Sequence, residues 1–312
     1  MRFAIMVEPQ QGMSYPDLLA MAQAAEEEGF EAFFRSDHYT SFPGADDRRT
    51  TDCWATLAGL ARETSRIRLG SLVSPVTFRV PGAFAKTVAT VDEMSGGRIE
   101  AGLGAGWNAL EHARLGIPYP EDKVRVDMLE EELRLFHGLW DGPDGWGMEG
   151  THVTASGALF RPRDRRPPIL VGGSGRPRSV RLAATWADEH NLSSATPEAA
   201  REVNARLDAA CVAVGRDPGT LARSAMTGVV VGRNGSEVAR RMRAQIAAWG
   251  ADAAGAEAWL AERRDRWLIG TAGEARARVA ALEAAGIERI MLQTFLPFDT
   301  DHVRVMAEIF LG

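Results

Sequence analysis

The sequence predicts an α/β protein that folds as one closed (β/α)8 barrel, the TIM-barrel architecture, over residues 1–312. Short runs rich in β-branched and aromatic residues alternate with longer stretches of helical periodicity, and this alternation is the sequence sign of a parallel sheet. Eight predicted strands and eight predicted helical regions fit a closed barrel better than a doubly wound sheet. A chain of 312 residues is of ordinary length for such a barrel.

The strands are identified by their composition, since β-branched and aromatic side chains are enriched in buried strands. Seven of them are clear, and the sixth along the chain is weaker. They cover residues 3–7, 32–36, 67–73, 98–103, 169–172, 188–192, 225–231 and 289–293.

The helices are located by their start and stop signals. Ser14 precedes a helical pattern over 15–28 that Gly29 ends, and Thr196 with Pro197 opens a helix over 198–214. The other predicted helices cover residues 52–63, 82–94, 123–139, 179–187, 236–249 and 274–285.

Two connections exceed the loops of an ordinary barrel, and we interpret them as functional insertions after predicted strands four and seven. Residues 141–168 contain a possible hairpin around Gly150 and Gly157. Residues 249–270 place an extra helix before the segment that begins at Trp267. No stretch has the composition of a linker, so the sequence predicts a single domain.

Composition and charge exclude several classes of protein. The chain is 45% hydrophobic and 25% charged, which is typical of a globular protein and not of a disordered one. A net charge of −6 without a cluster of Lys and Arg gives no indication of nucleic-acid binding. No segment approaches 18 apolar residues, and Glu8 interrupts the apolar run that a signal peptide would need. Because Cys53 and Cys211 are far apart in sequence, we expect a reducing compartment and a cytoplasmic enzyme without membrane contact.

Catalytic residues of such a barrel lie at the C-terminal ends of the strands, where the loops converge. Predicted strand two runs into Ser36, Asp37, His38 and Tyr39, which places an acid, an imidazole and a phenol at that end. Histidine is the usual general acid or base near neutral pH. We therefore expect His38 and Asp37 to be catalytic. The alternative is that Asp37 caps a turn and His38 only packs.

The ends of predicted strands three and four suit a planar ligand. Leu72, Val73 and Ser74 could form a wall against a flat ring, although Pro75 could also simply end strand three. Strand four carries glycines at 102, 104 and 106, so that backbone can approach a ring closely, and Trp107 can stack on it. A Rossmann fingerprint is excluded because it requires a glycine where Trp107 stands.

Predicted strand five ends in Gly172, Gly173, Ser174, Gly175 and Arg176, at the start of a helix. Backbone N–H groups at a helix N-terminus bind anions, and the serine and arginine add donors suited to phosphate. A simple turn is the alternative, since the loop is neither a Walker loop nor a nucleophile elbow. The six histidines show no H-x-x-x-H spacing, so no metal site is expected.

Together these motifs resemble those of the luciferase-like flavin and F420 oxidoreductases, and in particular the branch that depends on the deazaflavin coenzyme F420. Members of that branch usually carry Asp-His after strand two and a Gly-Ala-Gly-Trp pattern, as at Asp37-His38 and 104–107 here. The segments that carry the resemblance are 36–39, 73–81, 95–98, 102–107, 167–169, 172–175 and 269–271, which span nearly the whole chain.

The resemblance implies F420 in the mouth of the barrel and a non-prolyl cis peptide near Leu72 and Val73. It implies hydride transfer between C5 of the deazaflavin and a substrate, with His38 as proton donor or acceptor and Asp37 orienting His38. The phosphate would bind the loop of strand five. The implied cofactor-binding residues are Leu72, Val73, Ser74, Gly104, Ala105, Gly106, Trp107, Gly172, Gly173, Ser174, Gly175 and Arg176.

The chain departs from the sugar-phosphate dehydrogenases of this branch, in which a tryptophan follows the Asp-His pair. Phe42 or a neighbour takes that place here, and lysines are almost limited to Lys86 and Lys123, so glucose 6-phosphate is not the expected substrate. Two alternatives stay open: an FMN-dependent monooxygenase of the same superfamily, and a non-catalytic barrel that binds a cofactor or a protein. The resemblance also implies a homodimer. The small-molecule substrate and the direction of the reaction stay open.

Overall fold

Eight parallel strands close into a barrel in the computed structural model, which describes residues 1–162, 165–250, 256–296 and 298–312. The strands are β1 (Arg2–Val7), β2 (Ala32–Arg35), β3 (Arg68–Ser71), β4 (Ser74–Pro75), β5 (Ile99–Gly104), β6 (Trp146–Met148), β7 (Ala155–Ala158), β8 (Ile169–Gly173), β9 (Glu189–Ser193), β10 (Ala222–Val231), β11 (Leu268–Gly270) and β12 (Arg289–Thr294). Around the barrel the order is β1, β2, β3, β5, β8, β9, β10 and β12, and β12 pairs with β1. All eight predicted strands are confirmed.

The helices surround this barrel. They are α1 (Tyr15–Glu27), α2 (Cys53–Glu63), α3 (Pro81–Ser95), α4 (Ala109–Leu115), α5 (Asp122–Asp141), α6 (Pro177–Trp186), α7 (Pro197–Ala213), α8 (Gly235–Ala248), α9 (Ala256–Arg263), α10 (Ala272–Glu283) and α11 (Thr300–Phe310). The eight predicted helices are confirmed, and α9 is the extra helix expected within 249–270. Helices α4 and α11 have no predicted counterpart; α4 has only seven residues, too few for a clear periodicity. In the described part of the chain, no helix is long and apolar enough to cross a membrane.

The helix starts follow the local signals in the sequence. Ser14 and Asp17 form a reciprocal capping box at the start of α1, with Asp17 Oδ2 accepting the Ser14 backbone N–H at 2.8 Å. Thr196 accepts from the Ala199 N–H at the start of α7. These interactions span only three residues, which is why the sequence predicts them well.

The two long connections differ in where they attach, and each includes residues outside the described ones. The predicted hairpin in 141–168 is confirmed as antiparallel β6 and β7, but it follows helix α5. It therefore belongs to the connection that returns to β8, and not to the loop directly after β5. Glu131 of α5 holds it by accepting from the backbone N–H groups of Thr151, His152 and Val153 at 2.7 to 2.8 Å. The second connection follows α8 and carries α9, and its strand β11 pairs with β10 at Val229 to Val231.

The interior of the barrel is filled, so a ligand can enter only at one end. An inner apolar cluster fills the middle, and it consists of Ala4, Met6, Ala32, Phe34, Leu72, Leu170 and Met291. At the N-terminal ends of the strands, buried Arg289 meets Glu100 at 2.8 Å and Glu189 at 3.0 Å. This ion-pair cluster closes the lower end of the barrel. The C-terminal ends of the strands remain as the mouth, where ligands bind in such barrels.

Candidate active site

His38 lies at the mouth and is held by a carboxylate from helix α4. Its Nδ1 lies 2.9 Å from Glu111 Oε1, and the other oxygen, Oε2, accepts the backbone N–H of Tyr39 at 3.0 Å. Because a carboxylate only accepts, the imidazole donates from Nδ1 in this bond. Glu111 is buried and the His38 side chain is 13% exposed. One carboxylate thus fixes the ring and the adjoining backbone, and Nε2 is the ring nitrogen left to act on a ligand.

Asp37 does not orient His38, contrary to the expectation from the sequence. Its buried carboxylate accepts from Ser74 Oγ at 2.7 Å and from Arg79 at 2.5 Å. The Asp37 carboxylate is thus bound to Ser74 and Arg79, whereas the imidazole that follows it is bound to Glu111. Glu111 has the orienting role that the sequence had suggested for Asp37.

Two aromatic rings pack against His38 edge to face. The ring centroid of Phe42 lies 4.5 Å from that of His38, and Trp107 lies 5.7 Å from it. Phe42 therefore stands directly beside the imidazole. Trp107 is 65% exposed and so has a face available for a ligand.

The segment after β3 contains the cis peptide that the family resemblance implies, between Leu72 and Val73. The side chain of Val73 occupies the space that glycines leave open: a Cβ at Gly172 would lie 2.9 Å from Val73 Cγ1, and one at Gly104 would lie 2.5 Å from Val73 Cγ2. The absence of a side chain at these two glycines thus makes room for Val73. Ser74 Oγ donates to Asp37, so its hydroxyl is engaged within the protein.

The loop after β8 leads into α6 and is open at its tip. Ser174 and Arg176 are exposed, whereas Gly175 is buried, with a φ of +75° that favours glycine. The first backbone N–H groups of α6 have no intrahelical acceptor, as in any helix, and no side chain at the N-cap position binds them. The loop therefore presents unpaired backbone N–H groups together with the exposed Ser174 and Arg176.

Comparison with known proteins places the chain in a family. The model of the luciferase-like monooxygenases matches residues 1–289. The chain belongs to the luciferase-like monooxygenase family.

Within this family the chain is similar to proteins of both cofactor types. It is 36% identical over 174 residues to an F420-dependent glucose-6-phosphate dehydrogenase of Nakamurella multipartita, covering 55% of this chain and 50% of that protein. It is 25% identical over 312 residues to an FMNH2-dependent dimethylsulfone monooxygenase of Pseudomonas putida, covering 90% and 83%. The match thus spans about half the length of the first of these relatives.

Solved structures of luciferase-like enzymes share the fold. An F420-dependent secondary alcohol dehydrogenase, in complex with an F420-acetone adduct, superposes with a TM-score of 0.84 at 19% identity, covering 99% of this chain and 98% of that chain. A monooxygenase from Streptomyces bottropensis superposes with a TM-score of 0.81 at 25% identity, covering 100% and 99%. The closed parallel barrel is therefore the fold of the luciferase-like enzymes.

Two residues of this luciferase-like site were missed by sequence reasoning. Glu111 lies three residues after Asn108, which caps α4 through its side chain; this Asn-x-x-Glu spacing is a helix-start signal that could have located it. Arg79, which binds Asp37, had no local signal, since its partners lie 27 to 42 residues away in sequence.

Proposed function

We propose that the chain is an F420-dependent oxidoreductase that transfers a hydride between deazaflavin C5 and a small organic substrate. The substrate would carry an activated C=C or C=N bond, or an alcohol or carbonyl. The observation that carries this proposal is the His38–Glu111 pair, an oriented imidazole at the mouth of the barrel beside the Val73 segment. The Asp37-His38 sequence and the F420-dependent relatives support F420 over other cofactors.

The residues at the mouth fit a flat ring with an anionic tail. Val73 projects between the backbones of β5 and β8, where glycines make room for it, and it offers a firm apolar surface for one ring face. The uncapped start of α6, with Ser174 and Arg176 exposed, offers donors for a phosphate. We propose that these residues bind the cofactor, with further contacts from the backbone at 104–106 and 172–173 and from the side chain of Trp107.

The deazaflavin, when bound, supplies the hydride chemistry. The protein supplies a proton site: His38 Nε2 donates to or accepts from the substrate heteroatom, while Glu111 holds Nδ1. Because Glu111 is buried and also binds the Tyr39 N–H, the ring is oriented before the substrate arrives. Phe42 and Trp107 exclude water from the edge of the imidazole.

A second candidate function is an FMN-dependent monooxygenase. It is favoured by the dimethylsulfone monooxygenase relative, whose match covers 90% of this chain. The fold is the same in both cases, so only the cofactor and the reaction with oxygen distinguish them.

The test is a titration of the purified protein with F420 and with FMN, followed by absorbance and fluorescence. A screen of reduced F420 consumption against imines, enones and alcohols then follows. We expect F420 binding and turnover with at least one class. Binding of FMN alone would establish the second candidate, and binding of neither would indicate a non-catalytic barrel.

The proposal includes a homodimer in a reducing cytoplasmic compartment. Cys53 and Cys211 are both buried free thiols, which suits such a compartment. Sedimentation of the purified protein under reducing conditions would measure the oligomeric state.

A further inference from the structure

Arg79 forms hydrogen bonds with both residues that flank His38 in sequence. Its Nη1 donates to Asp37 Oδ2 at 2.5 Å, and its Nη2 donates to the Tyr39 hydroxyl at 3.0 Å. Asp37 and Tyr39 immediately precede and follow His38, so one guanidinium holds the chain on both sides of the imidazole. The arginine side chain is only 15% exposed, which makes these bonds well protected from solvent.

The same guanidinium joins two further elements. It donates to Asp52 Oδ2 at 2.7 Å, and Asp52 caps helix α2 through the Ala55 N–H at 2.8 Å. Through Asp37 it reaches Ser74, which follows the cis peptide and accepts from Trp54 Nε1 at 2.9 Å. The His38 loop and the Val73 segment are therefore fastened to one another through Arg79.

We propose that Arg79 is the positioning residue that fixes the His38 imidazole relative to the Val73 surface on which the ring would lie. This inference rests on the proposed function for its catalytic meaning. The charges explain why an arginine is required. Asp37 and Asp52 are two carboxylates close together, and Arg79 is the cation that binds both. Although burial disfavours the charge of Arg79, Asp37 holds the pKa of Arg79 above its ordinary value. The Arg79 guanidinium, which we call the clamp, therefore stays charged at neutral pH.

Removing the Arg79 guanidinium would leave the buried Asp37 without its counter-charge, with the Ser74 hydroxyl as its remaining hydrogen-bond donor. A buried carboxylate in that situation must draw in water, take up a proton or move, and each response displaces the loop that carries His38. The effect would fall on the orientation of the imidazole, whereas the described loop after β8 receives no hydrogen bond from Arg79 and should be unchanged. A displacement of about 1 Å at a reacting group costs about 100-fold in rate.

A cavity of about 390 Å³ borders Arg79. It is lined by residues that include Val80, Ile117, Met128 and Val153, together with Arg79 itself. Because Arg79 lines this cavity, rescue of a truncated Arg79 by added guanidinium ion is a practical test.

The experiment compares Arg79→Met and Arg79→Lys with the wild type and with Arg114→Met. Arg114 pairs with Asp46 on the surface, on the same helix as Glu111, which makes it a matched control. We expect Arg79→Met to lower kcat about 100-fold with unchanged F420 affinity, and added guanidinium to restore part of kcat. Arg79→Lys keeps the charge but loses the bidentate contact, so its kcat should fall less than that of Arg79→Met. The lysine variant replaces the methionine variant in this test if the latter does not fold.

A second measurement does not need the cofactor. In protein labelled with ¹⁵N-histidine, the Nδ1 resonance of His38, assigned by its loss in His38→Ala, reports the bond to Glu111. We expect it to shift in Arg79→Met and not in Arg114→Met. If the wild type binds no F420, the proposed function fails, while this resonance still tests the clamp. An unchanged His38 resonance, or a kcat equal to that of the wild type, would overturn the role of Arg79.

Discussion

Each end of this barrel holds an ion cluster in which one arginine binds more than one carboxylate. At the closed end, Arg289 of β12 meets Glu31, Glu100 and Glu189. At the mouth, Arg79 meets Asp37 and Asp52. The partners at the closed end lie on strands or directly before one, where the barrel already fixes their positions, whereas those at the mouth lie in or beside the loops around His38.

The difference shows that a buried ion pair acquires its role from what it is attached to. Burial opposes the charge of Glu100, yet Arg289 holds its pKa below the ordinary value, and burial raises the pKa of the neighbouring Glu189. That cluster therefore balances charge inside a filled barrel and stabilises the fold. The cluster at the mouth holds the loop next to the His38 imidazole. Its loss should therefore lower turnover more than it lowers the stability of the fold.

The largest expected effect is at the mouth. His38→Ala should lower turnover by about 100- to 10,000-fold, because it removes the proton site, and should leave F420 binding unchanged. Steady-state kinetics and a cofactor titration measure the two quantities. His152→Ala, which removes an exposed histidine of the β6–β7 hairpin, is the control and should keep full turnover. Unchanged turnover in His38→Ala would remove the imidazole from the mechanism.

The next effect is at the closed end. Arg289→Met should lower the free energy of unfolding by about 3–5 kcal/mol, because it removes the buried cation shared by Glu31, Glu100 and Glu189 and leaves Arg68 as the remaining arginine on Glu100. Urea unfolding followed by circular dichroism measures it. The control is Arg181→Met, which breaks a surface pair with Glu130 and should cost less than about 1 kcal/mol. Equal losses in the two variants would show that burial does not distinguish the two pairs.

The smallest expected effect concerns a buried carboxyl that forms no ion pair among the described residues, in contrast to the two arginine clusters. Glu132 of α5 is fully buried, neither oxygen has a hydrogen-bond partner among the described residues, and burial raises its pKa to about 8. With a folded pKa above the unfolded one, its contribution is complete below about pH 4.5 and is lost as the pH rises towards 8. Relative to the wild type, Glu132→Gln should therefore become more stable by several degrees in Tm between pH 5 and pH 8.

The same thermal scans on Glu130→Gln provide the control. Glu130 lies on the same helix in an exposed pair with Arg181, so its stability difference from the wild type should hardly change with pH. A constant difference between wild type and Glu132→Gln across this range would mean that the carboxyl does not titrate as its burial requires.

Local signals predicted much of the molecule, and the misses have a physical pattern. The strands, the capped starts of α1 and α7 and the hairpin at 146–158 match the structure, because each depends on a few adjacent residues. The cis peptide between Leu72 and Val73 also matches, but only the family resemblance implied it. Helix α4 was missed because it is short, and the partner of His38 was missed with it.

The sequence alone determined that strands alternate with helices, that they close into a barrel, and that His38 follows the second strand. Only the tertiary structure decided which carboxylate serves the imidazole. Glu111 lies 73 residues from His38 along the chain, whereas Asp37 is adjacent but points to Ser74 and Arg79. The physical reason is that the partner of a side chain is set by the packing of elements distant in sequence, here helix α4 against the loop after β2, and not by proximity along the chain.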